Sequence, residues 1–567
     1  MLKRFGKQTI LSNLKIFTLL FLALLFFVSG VEKVDCFFSF DKDSQEEQAW
    51  VDSVFKVMSP EERLGQLFMT RAHSDKGPEH IAMVENTIKK YHVGGLCFFQ
   101  GTPEKQAELS NRYQALTTHV PLMIAIDGEW GLGMRMKAST ISFPRQLMLG
   151  AIQDNRLIYE MGREIAREMK RIGIDINFAP VADINNNAAN PVINTRSFGE
   201  DRYNVTVKSY MYMKGMQDHE VMACAKHFPG HGDTDVDSHY DLPIIPHSKE
   251  RLDSVELYPF KALAQHGVGS MMVAHMSVPA LDDRPNRPTS LSKNTITHLL
   301  KEEMGFDGPV FTDALEMKGV TKYFKDGEVE AEALVAGNDI LLLPEDIEAS
   351  VNAINRYLKE GKLSQEQLDK SVKKVLRAKY RMGLTKFKAL SLENIREDLN
   401  SAEAKQLKRK LIQHALTLVR NKDNMIPFQE LDAVDMASLS IGAKGRTKFQ
   451  ERLSSYKTMT ELQSSKEIST LQQEKLINQL KSKDVVIIGL HDMDSRASRN
   501  FGVTESTRRL LTKLQQYTKV VLVVFGNPYS LKYFDGVDWV LESYNEEDDT
   551  EDLSAQALFG VFGLQGR

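Results

Sequence analysis

One short stretch of the chain, residues 226–239, holds three histidines and three aspartates among fourteen residues. It reads KHFPGHGDTDVDSH, and the proline and glycines around His231 predict a loop. An apolar run, residues 221–225, comes directly before it, so we expect the loop to leave the end of a buried strand. Imidazole and carboxylate groups transfer protons, bind metal ions or hold polar ligands. The stretch is therefore the first candidate for a functional site.

One interpretation of this loop is a metal site, with its histidines and aspartates as ligands. The chain lacks the helical His pair of HExxH enzymes. The aspartates alternate as at the start of a calcium loop, but Ser238 stands where that loop needs Gly and Ile244 where it needs Glu. We therefore expect no metal ion and no other cofactor. A rigid loop of mutually satisfied polar groups is the structural alternative.

A second interpretation is proton transfer by Asp237 and His239. Residues two apart in extended chain project to the same side, so this carboxylate can orient the imidazole and raise its basicity. Asp313, at the end of the apolar run 309–313, is then the best candidate for a nucleophile. An ionised carboxylate facing a proton donor is the arrangement of a glycosidase, although a second carboxylate is the usual donor. Spacing alone does not identify a sugar as the substrate.

Apolar runs alternate with helical patterns across about 300 residues, which predicts a (β/α)₈ TIM-like barrel, with an open doubly wound sheet as the alternative. The eight runs are 66–71, 93–100, 122–127, 174–183, 221–226, 270–275, 309–313 and 339–343. Five consecutive runs end in polar side chains, namely Asp127, Asp183, Lys226 with His227, His275, and Asp313. Because the carboxyl ends of barrel strands meet at one mouth, we expect these side chains to converge there.

The predicted domain order is a catalytic barrel over 45–385, a linker over 386–401 and a second α/β domain over 402–567. The second domain begins with a helix to about residue 419 and continues with strand-like segments at 438–441, 484–490, 519–525 and 538–542. This alternation favours a layered αβα sandwich. We expect that sandwich to be incomplete at its C-terminus.

The first thirty residues predict a signal peptide. Basic residues precede an apolar run, 16–28, that ends in Ser29 and Gly30. The run is short for a membrane span of about 20 residues, so an uncleaved anchor is the weaker alternative. We expect a secreted, periplasmic or cell-envelope protein that meets the membrane only through this segment. Cys36 could carry a lipid, but Val34 and Asp35 before it are not the small residues such processing needs.

The remaining composition excludes several classes of protein. A net charge of −4 and no long basic run argue against a nucleic-acid partner. Three cysteines provide no disulfide framework, and we expect Cys97 and Cys224 to be buried free thiols. The oligomeric state is not predicted.

The motif KHFPGHG, followed after four residues by Asp237-Ser238-His239, resembles the signature of bacterial β-N-acetylglucosaminidases of glycoside hydrolase family 3. The resemblance covers about residues 50–390 well and the second domain more loosely. Supporting motifs occur in the family's order: IDGE at 126–129, NFAPVAD at 177–183, RSFG at 196–199 and FTD at 311–313.

The resemblance implies a retaining exo-β-N-acetylglucosaminidase acting on terminal sugars of peptidoglycan fragments or chitooligosaccharides. It implies Asp313 as nucleophile and His239, oriented by Asp237, as acid/base. It further implies that the sugar hydroxyls are held by Asp127, Arg135, Arg196, Lys226 and His227. The alternatives are a β-N-acetylglucosaminide phosphorylase, a β-glucosidase, or a non-catalytic protein that binds cell-wall glycan.

The loop after the third run departs from the family's usual Asp-Gln-Glu-Gly-Gly-Arg. Asp127 and Arg135 keep the expected separation, but Trp130 stands where the family has a glycine. Its ring could stack on a sugar or pack in the core. The changed loop leaves the aglycone preference open.

Overall fold

The structure, a computed structural model, describes residues 44–235, 242–325 and 327–567. The predicted signal peptide at 1–30, Cys36, and the predicted acid/base pair of Asp237 and His239 lie outside the described residues. Within the described ranges, no helix is both long enough and apolar enough to cross a membrane.

Eight parallel strands form the first sheet, in the order β7-β6-β5-β4-β3-β2-β1-β8. They are β1 Phe68–Ala72, β2 Gly95–Phe98, β3 Met123–Ile126, β4 Ile176–Asn177, β5 Met222–Phe228, β6 Ser270–Val273, β7 Val310–Thr312 and β8 Leu341–Leu342. A bridge between Phe311 and Ile340 joins the two ends of the sheet. The closed order confirms the predicted barrel, and the open-sheet alternative is wrong.

Helices lie between these strands and cover the barrel. They are Pro78–Tyr91, Pro103–Gln114, Gln146–Gly150, Arg156–Arg171, Arg202–Gln217, Lys249–Ser254, Tyr258–Gln265, Asn294–Glu303, Lys318–Thr321, Glu328–Ala336, Ile347–Lys359 and Gln365–Arg381. Asn294–Glu303 is a π-helix. Almost every strand residue is buried, as a sheet covered on its outer face and packed inside requires.

Two local expectations are corrected. The fourth run, 174–183, gives only the two-residue strand β4, since Pro180 has no N–H to donate to a neighbouring strand. The helical pattern expected between the fifth and sixth runs is divided into two helices, Lys249–Ser254 and Tyr258–Gln265. Pro259 lies in the first turn of the second helix, where its missing N–H costs nothing.

The second sheet has six strands in the order β11-β10-β12-β13-β14-β9. They are β9 Thr417–Asn421, β10 Met436–Ile441, β11 Thr460–Ser464, β12 Val485–Leu490, β13 Lys519–Val524 and β14 Trp539–Glu542. The helices of this part are Ile395–Leu399, Ala402–Ala415, Lys448–Tyr456, Thr470–Leu480, Glu505–Leu514 and Asp548–Leu558.

The four predicted strands of this domain are present, and the predictions missed its two edge strands. The first helix ends at Ala415 instead of about residue 419, because β9 starts at Thr417 and pairs antiparallel with β14. The other edge strand, β11, reads TELQS and is largely polar. An edge strand is covered less than a central one, so it needs no continuous apolar run.

The second domain contacts the loop that follows β4. Asn194 of this loop donates to the Ser495 carbonyl at 2.8 Å and accepts from Asn527 at 2.6 Å. Tyr529 donates to the Asn185 carbonyl at 3.1 Å. The second domain therefore fixes the position of a barrel loop.

The helix Gln45–Val57 is held against the last barrel helix by a buried ion pair. Arg381 binds both carboxylate oxygens of Glu47, each at 2.9 Å, and the two side chains are 6% and 5% exposed. Lys373 and Asp52 form a solvent-exposed pair between the same two helices, at 2.8 Å.

We predict that Arg381→Ala lowers the free energy of unfolding by about 3–5 kcal/mol, because it leaves the Glu47 carboxylate buried without its cation. Lys373→Ala, the matched control on the same helix, should cost less than about 1 kcal/mol. Urea denaturation followed by circular dichroism measures both. Equal losses for the two variants would contradict the prediction.

Candidate active site

A cavity of ≈ 390 Å³ opens at the mouth where the barrel strands end. Six of the eight residues predicted for the site line it: Asp127, Arg135, Arg196, Lys226, His227 and Asp313. These side chains come from three strand ends, those of β3, β5 and β7, and from the loops after β3 and β4, so the fold brings together residues almost 190 positions apart. A volume in this range suits a small ligand.

Asp127 follows β3 and is held by two cations. Lys226 donates to Oδ1 at 2.7 Å and Arg135 donates to Oδ2 at 2.6 Å. Burial alone would raise the pKa of the Asp127 carboxyl, but the Lys226 and Arg135 charges lower it to about 2. Asp127 is therefore an ionised acceptor that two donors hold in a fixed orientation.

Glu129 lies beneath Asp127 and was not among the predicted site residues. Its side chain is 0% exposed, and it accepts from Lys226 at 2.9 Å and from Arg196 through two bonds of 2.9 and 2.7 Å. Burial opposes ionisation, but Arg196 and Lys226 hold the pKa of Glu129 well below its ordinary value. The sequence signal that could have identified Glu129 is its position two residues after Asp127 at a strand end. This spacing places the Asp127 and Glu129 carboxylates on the same side of the chain.

His227 is oriented by Asp183, a strand-end residue noted in the sequence but not assigned to the site. Asp183 accepts from the His227 Nδ1 at 2.7 Å and from the His231 backbone N–H at 2.6 Å. A carboxylate only accepts, so Nδ1 carries the hydrogen, and Nε2 faces the Arg196 guanidinium at 3.3 Å. Burial would raise the pKa of Asp183, but the His227 imidazole and these donors lower it.

The turn after His227 is a scaffold for these contacts. A Cβ at Gly232 would collide with the Ile184 carbonyl, so only glycine fits where the two loops meet. His231 is buried, and burial together with the neighbouring His227 lowers its pKa to about 4. Its Nδ1 lies 2.9 Å from the Thr234 hydroxyl. His231 therefore contributes a neutral ring to this part of the site.

Asp313 follows β7 and its backbone is fixed on both sides. Its N–H donates to the Val273 carbonyl at 2.9 Å, and its Oδ1 accepts from the Ala314 N–H at 2.8 Å. His275 Nε2 donates to the Ala314 carbonyl at 3.0 Å. Burial would raise the pKa of Asp313, but His227, His275, the Ala314 N–H and Lys226 lower it. Asp313 is therefore an ionised carboxylate whose Oδ1 is held by the Ala314 N–H.

Arg71, Phe99 and Glu316 are among the other residues that line the cavity, and the sequence did not predict them for the site. Arg71 and Glu316 form an ion pair across the mouth, and the Arg71 guanidinium lies 4.1 Å from the centre of the Phe99 ring. Trp130, by contrast, is not among the residues that line the cavity. Its ring lies 4.7 Å from the Arg145 guanidinium, which favours the packing role over sugar stacking.

A closed parallel barrel with ionised carboxylates and paired cations at the carboxyl ends of its strands is a TIM-barrel enzyme site that suits a ligand rich in hydroxyl groups. The family model described as "Glycosyl hydrolase family 3 N terminal domain" matches residues 59–378, which are more than half of the chain. The chain belongs to glycosyl hydrolase family 3. The predicted family, and the predicted class of glycoside hydrolase, are confirmed at this level.

Curated relatives agree with this assignment. The chain is 32% identical over 373 residues to "Beta-hexosaminidase A" of Pseudoalteromonas piscicida. The alignment covers 60% of this chain and 62% of that relative, so the chain spans less than two thirds of the relative's length. It is 31% identical over 334 residues to "Beta-hexosaminidase LpqI" of Mycobacterium tuberculosis, across 56% of this chain and 82% of that protein.

Solved structures show the same two-domain fold. A glycoside hydrolase family 3 beta-N-acetylglucosaminidase from Paenibacillus sp. matches with a TM-score of 0.76 and 28% identity, across 90% of this chain and 98% of that one. A beta-glucoside phosphorylase matches with a TM-score of 0.80 across 93% and 97% of the two chains, but at 21% identity it supports the fold alone. The predicted barrel with a following α/β domain is confirmed.

We predict that Asp183→Asn lowers kcat/KM for an aryl β-N-acetylglucosaminide by about 10–100-fold, because the amide NH₂ would face N–H donors and displace His227. Asp175→Asn is the control, since Asp175 is also buried but lies just before β4, at the opposite end of the barrel. Burial raises the pKa of Asp175 to about 6, so a neutral amide replaces it at little cost. Equal kinetics for Asp183→Asn and the wild type would show that His227 does not depend on this carboxylate.

Proposed function

We propose that the chain is a retaining exo-β-N-acetylglucosaminidase that releases terminal non-reducing N-acetyl-β-glucosaminyl residues from peptidoglycan fragments or chitooligosaccharides. The observation that carries the proposal is the ionised Asp313 carboxylate in one cavity with the Asp127–Lys226 pair. The names of the relatives, beta-hexosaminidase and beta-N-acetylglucosaminidase, support the sugar class.

In the first step Asp313 attacks the anomeric carbon of the sugar. The bond to the leaving oxygen breaks as that oxygen takes a proton from His239, which Asp237 orients, and a glycosyl ester forms on Asp313. In the second step the unprotonated His239 takes a proton from water, and the resulting hydroxide displaces Asp313 from the sugar. Two inversions give net retention and return both residues to their starting states.

The paired charges of the mouth suit an uncharged sugar. Asp127 can accept from two neighbouring hydroxyls, while Lys226 and Arg135 donate to hydroxyl oxygens. The ion pairs already hold these groups in place, so little side-chain entropy is lost when the substrate binds. The same pairs keep the carboxylates ionised, which preserves their capacity to accept.

The pairing of cations with carboxylates in the cavity also favours water over phosphate as the acceptor of the glycosyl group. Among the described residues that line the cavity, each arginine and lysine contacts a carboxylate: Arg71–Glu316, Arg135–Asp127, Arg196–Glu129, and Lys226 with Asp127 and Glu129. A phosphate dianion would have to compete with these carboxylates for a cation. Because each of these cations is already paired with a carboxylate, hydrolysis is the better supported reaction.

We predict that the purified full chain releases free N-acetylglucosamine from chitobiose and from muropeptides, with no sugar 1-phosphate in phosphate buffer. Mass spectrometry of a time course in phosphate and phosphate-free buffer measures both products. Detection of sugar 1-phosphate would show that the chain is a phosphorylase instead of a hydrolase. Release of glucose alone from a glucoside panel would indicate a β-glucosidase, and no release from any glycan would indicate a binding protein.

Variants test the assigned roles in the same assay. Asp313→Ala should abolish release, and His239→Ala should slow deglycosylation and recover in part with azide, an anion that needs no general base. Glu366→Gln, at an exposed Lys–Glu pair on the last barrel helix, is the control. Wild-type turnover by Asp313→Ala would refute the nucleophile.

We further propose export, supported by the basic and apolar pattern of residues 1–30. Expression of the full chain in a bacterial host should give a mature protein that lacks this segment and lies outside the cytoplasm. Sequencing of its N-terminus and cell fractionation measure this. A protein that keeps Met1 in the cytosolic fraction would contradict export.

A further inference from the structure

A second cluster of titratable side chains lies at the end of the motif loop, apart from the residues that line the sugar cavity. It consists of Asp233, His247 and Glu256, whose ligand-capable atoms all lie within 4.8 Å of one another. His247 Nε2 and Asp233 Oδ2 are 2.8 Å apart. The loop motif includes Asp233, but the proposed mechanism gives it no role.

Three separate segments bring these residues together. Asp233 belongs to the loop after β5, His247 comes just before the helix Lys249–Ser254, and Glu256 lies between that helix and the next one. Glu256 packs directly on the motif loop, since a Cβ built on Gly230 would come within 2.9 Å of the Glu256 Cβ. The cluster is therefore held by the fold and does not depend on long surface side chains.

Polar atoms around the cluster are buried without a hydrogen-bond partner among the described residues. They are the Glu256 Oε2, the Asn186 Oδ1 and the Arg251 Nε. Glu256 is only 3% exposed, and its other oxygen, Oε1, accepts from Arg251 at 3.0 Å and faces the Asn186 amide at 3.4 Å. An unsatisfied buried polar atom costs about 1–3 kcal/mol, so the Glu256 Oε2 beside an Asp–His pair points to a missing electrophilic partner.

We propose that Asp233, His247 and Glu256 bind a divalent transition-metal ion of the Zn²⁺ class. One imidazole nitrogen and two carboxylate oxygens form a donor set that zinc accepts at about 2.0–2.2 Å. The imidazole favours zinc over Ca²⁺ and Mg²⁺, which prefer oxygen ligands. The ion takes the place of the hydrogen bond between His247 and Asp233.

The position of the site gives it a structural role. Asp233 precedes and His247 follows residues 236–241 in the sequence, which include the predicted acid/base pair. A metal ion bound to both would fix the distance between the two chain positions that flank this pair. Metal binding itself is independent of the proposed glycosidase activity.

Isothermal titration of the chelator-treated full chain with Zn²⁺ tests the proposal. The wild type should bind zinc. His247→Gln and Asp233→Asn should each either lose one equivalent of bound zinc or bind that equivalent at least about tenfold more weakly. His491, Glu546 and Glu551 form another group with comparable ligand spacing, so Glu546→Gln must be titrated in parallel and should retain the His247-dependent equivalent. His298→Gln, at an exposed His–Glu pair, should bind as the wild type does.

The possible outcomes separate the explanations. Loss in the His247 and Asp233 variants, with unchanged circular dichroism of the metal-free proteins, supports the site. Identical titrations of these variants and the wild type would overturn it, as would no binding by the wild type. In those cases the buried oxygens are satisfied by water. Binding of Ca²⁺ or Mg²⁺ with an affinity equal to that of Zn²⁺ would overturn the transition-metal assignment.

Discussion

The buried ammonium of Lys226 is the interaction on which the mouth of the barrel depends. It is 2% exposed and contacts Asp127 and Glu129 at the end of β3, although it belongs to β5. Without this cation two carboxylates would face each other with only their arginine partners, and removing one member of a buried pair costs about 3–5 kcal/mol. The same ammonium adds to the larger effects of His227 and His275, which lower the pKa of Asp313. One charge thus joins two strand ends.

Residues that do not line the cavity hold the cavity residues around Lys226 in position. Asp183 holds the ring of His227, while His275 holds the peptide after Asp313. The loop that carries Arg196 is tied to the second domain through Asn194 and its neighbours. The second domain therefore fixes the position of the loop that carries Arg196, although none of its residues is among the described residues that line the cavity.

The two titratable clusters of the barrel differ in how completely they are paired. In the barrel cavity the Asp127 and Glu129 carboxylates have cations as partners, so opposite charges are balanced there and the cluster suits an uncharged ligand. At Asp233, His247 and Glu256 two acids share one arginine and one histidine, and buried oxygens remain unsatisfied. A neutral polar ligand completes the first cluster and a cation completes the second. Charge balance, more than residue type, distinguishes the two sites.

The sequence alone determined the barrel and six of the residues that line the cavity, because strands buried on both faces leave apolar runs whose polar ends mark the mouth. It overestimated the length of β4 and missed β9 and β11, where pairing depends on neighbours instead of local pattern. Only the tertiary structure decided that Glu129 and Asp183 support the site, that Trp130 packs on Arg145, and that Asp233 meets Glu256. The reason is physical: local sequence sets which side of a strand a side chain takes, whereas hydrogen-bond partners and pKa shifts depend on residues brought together from distant parts of the chain.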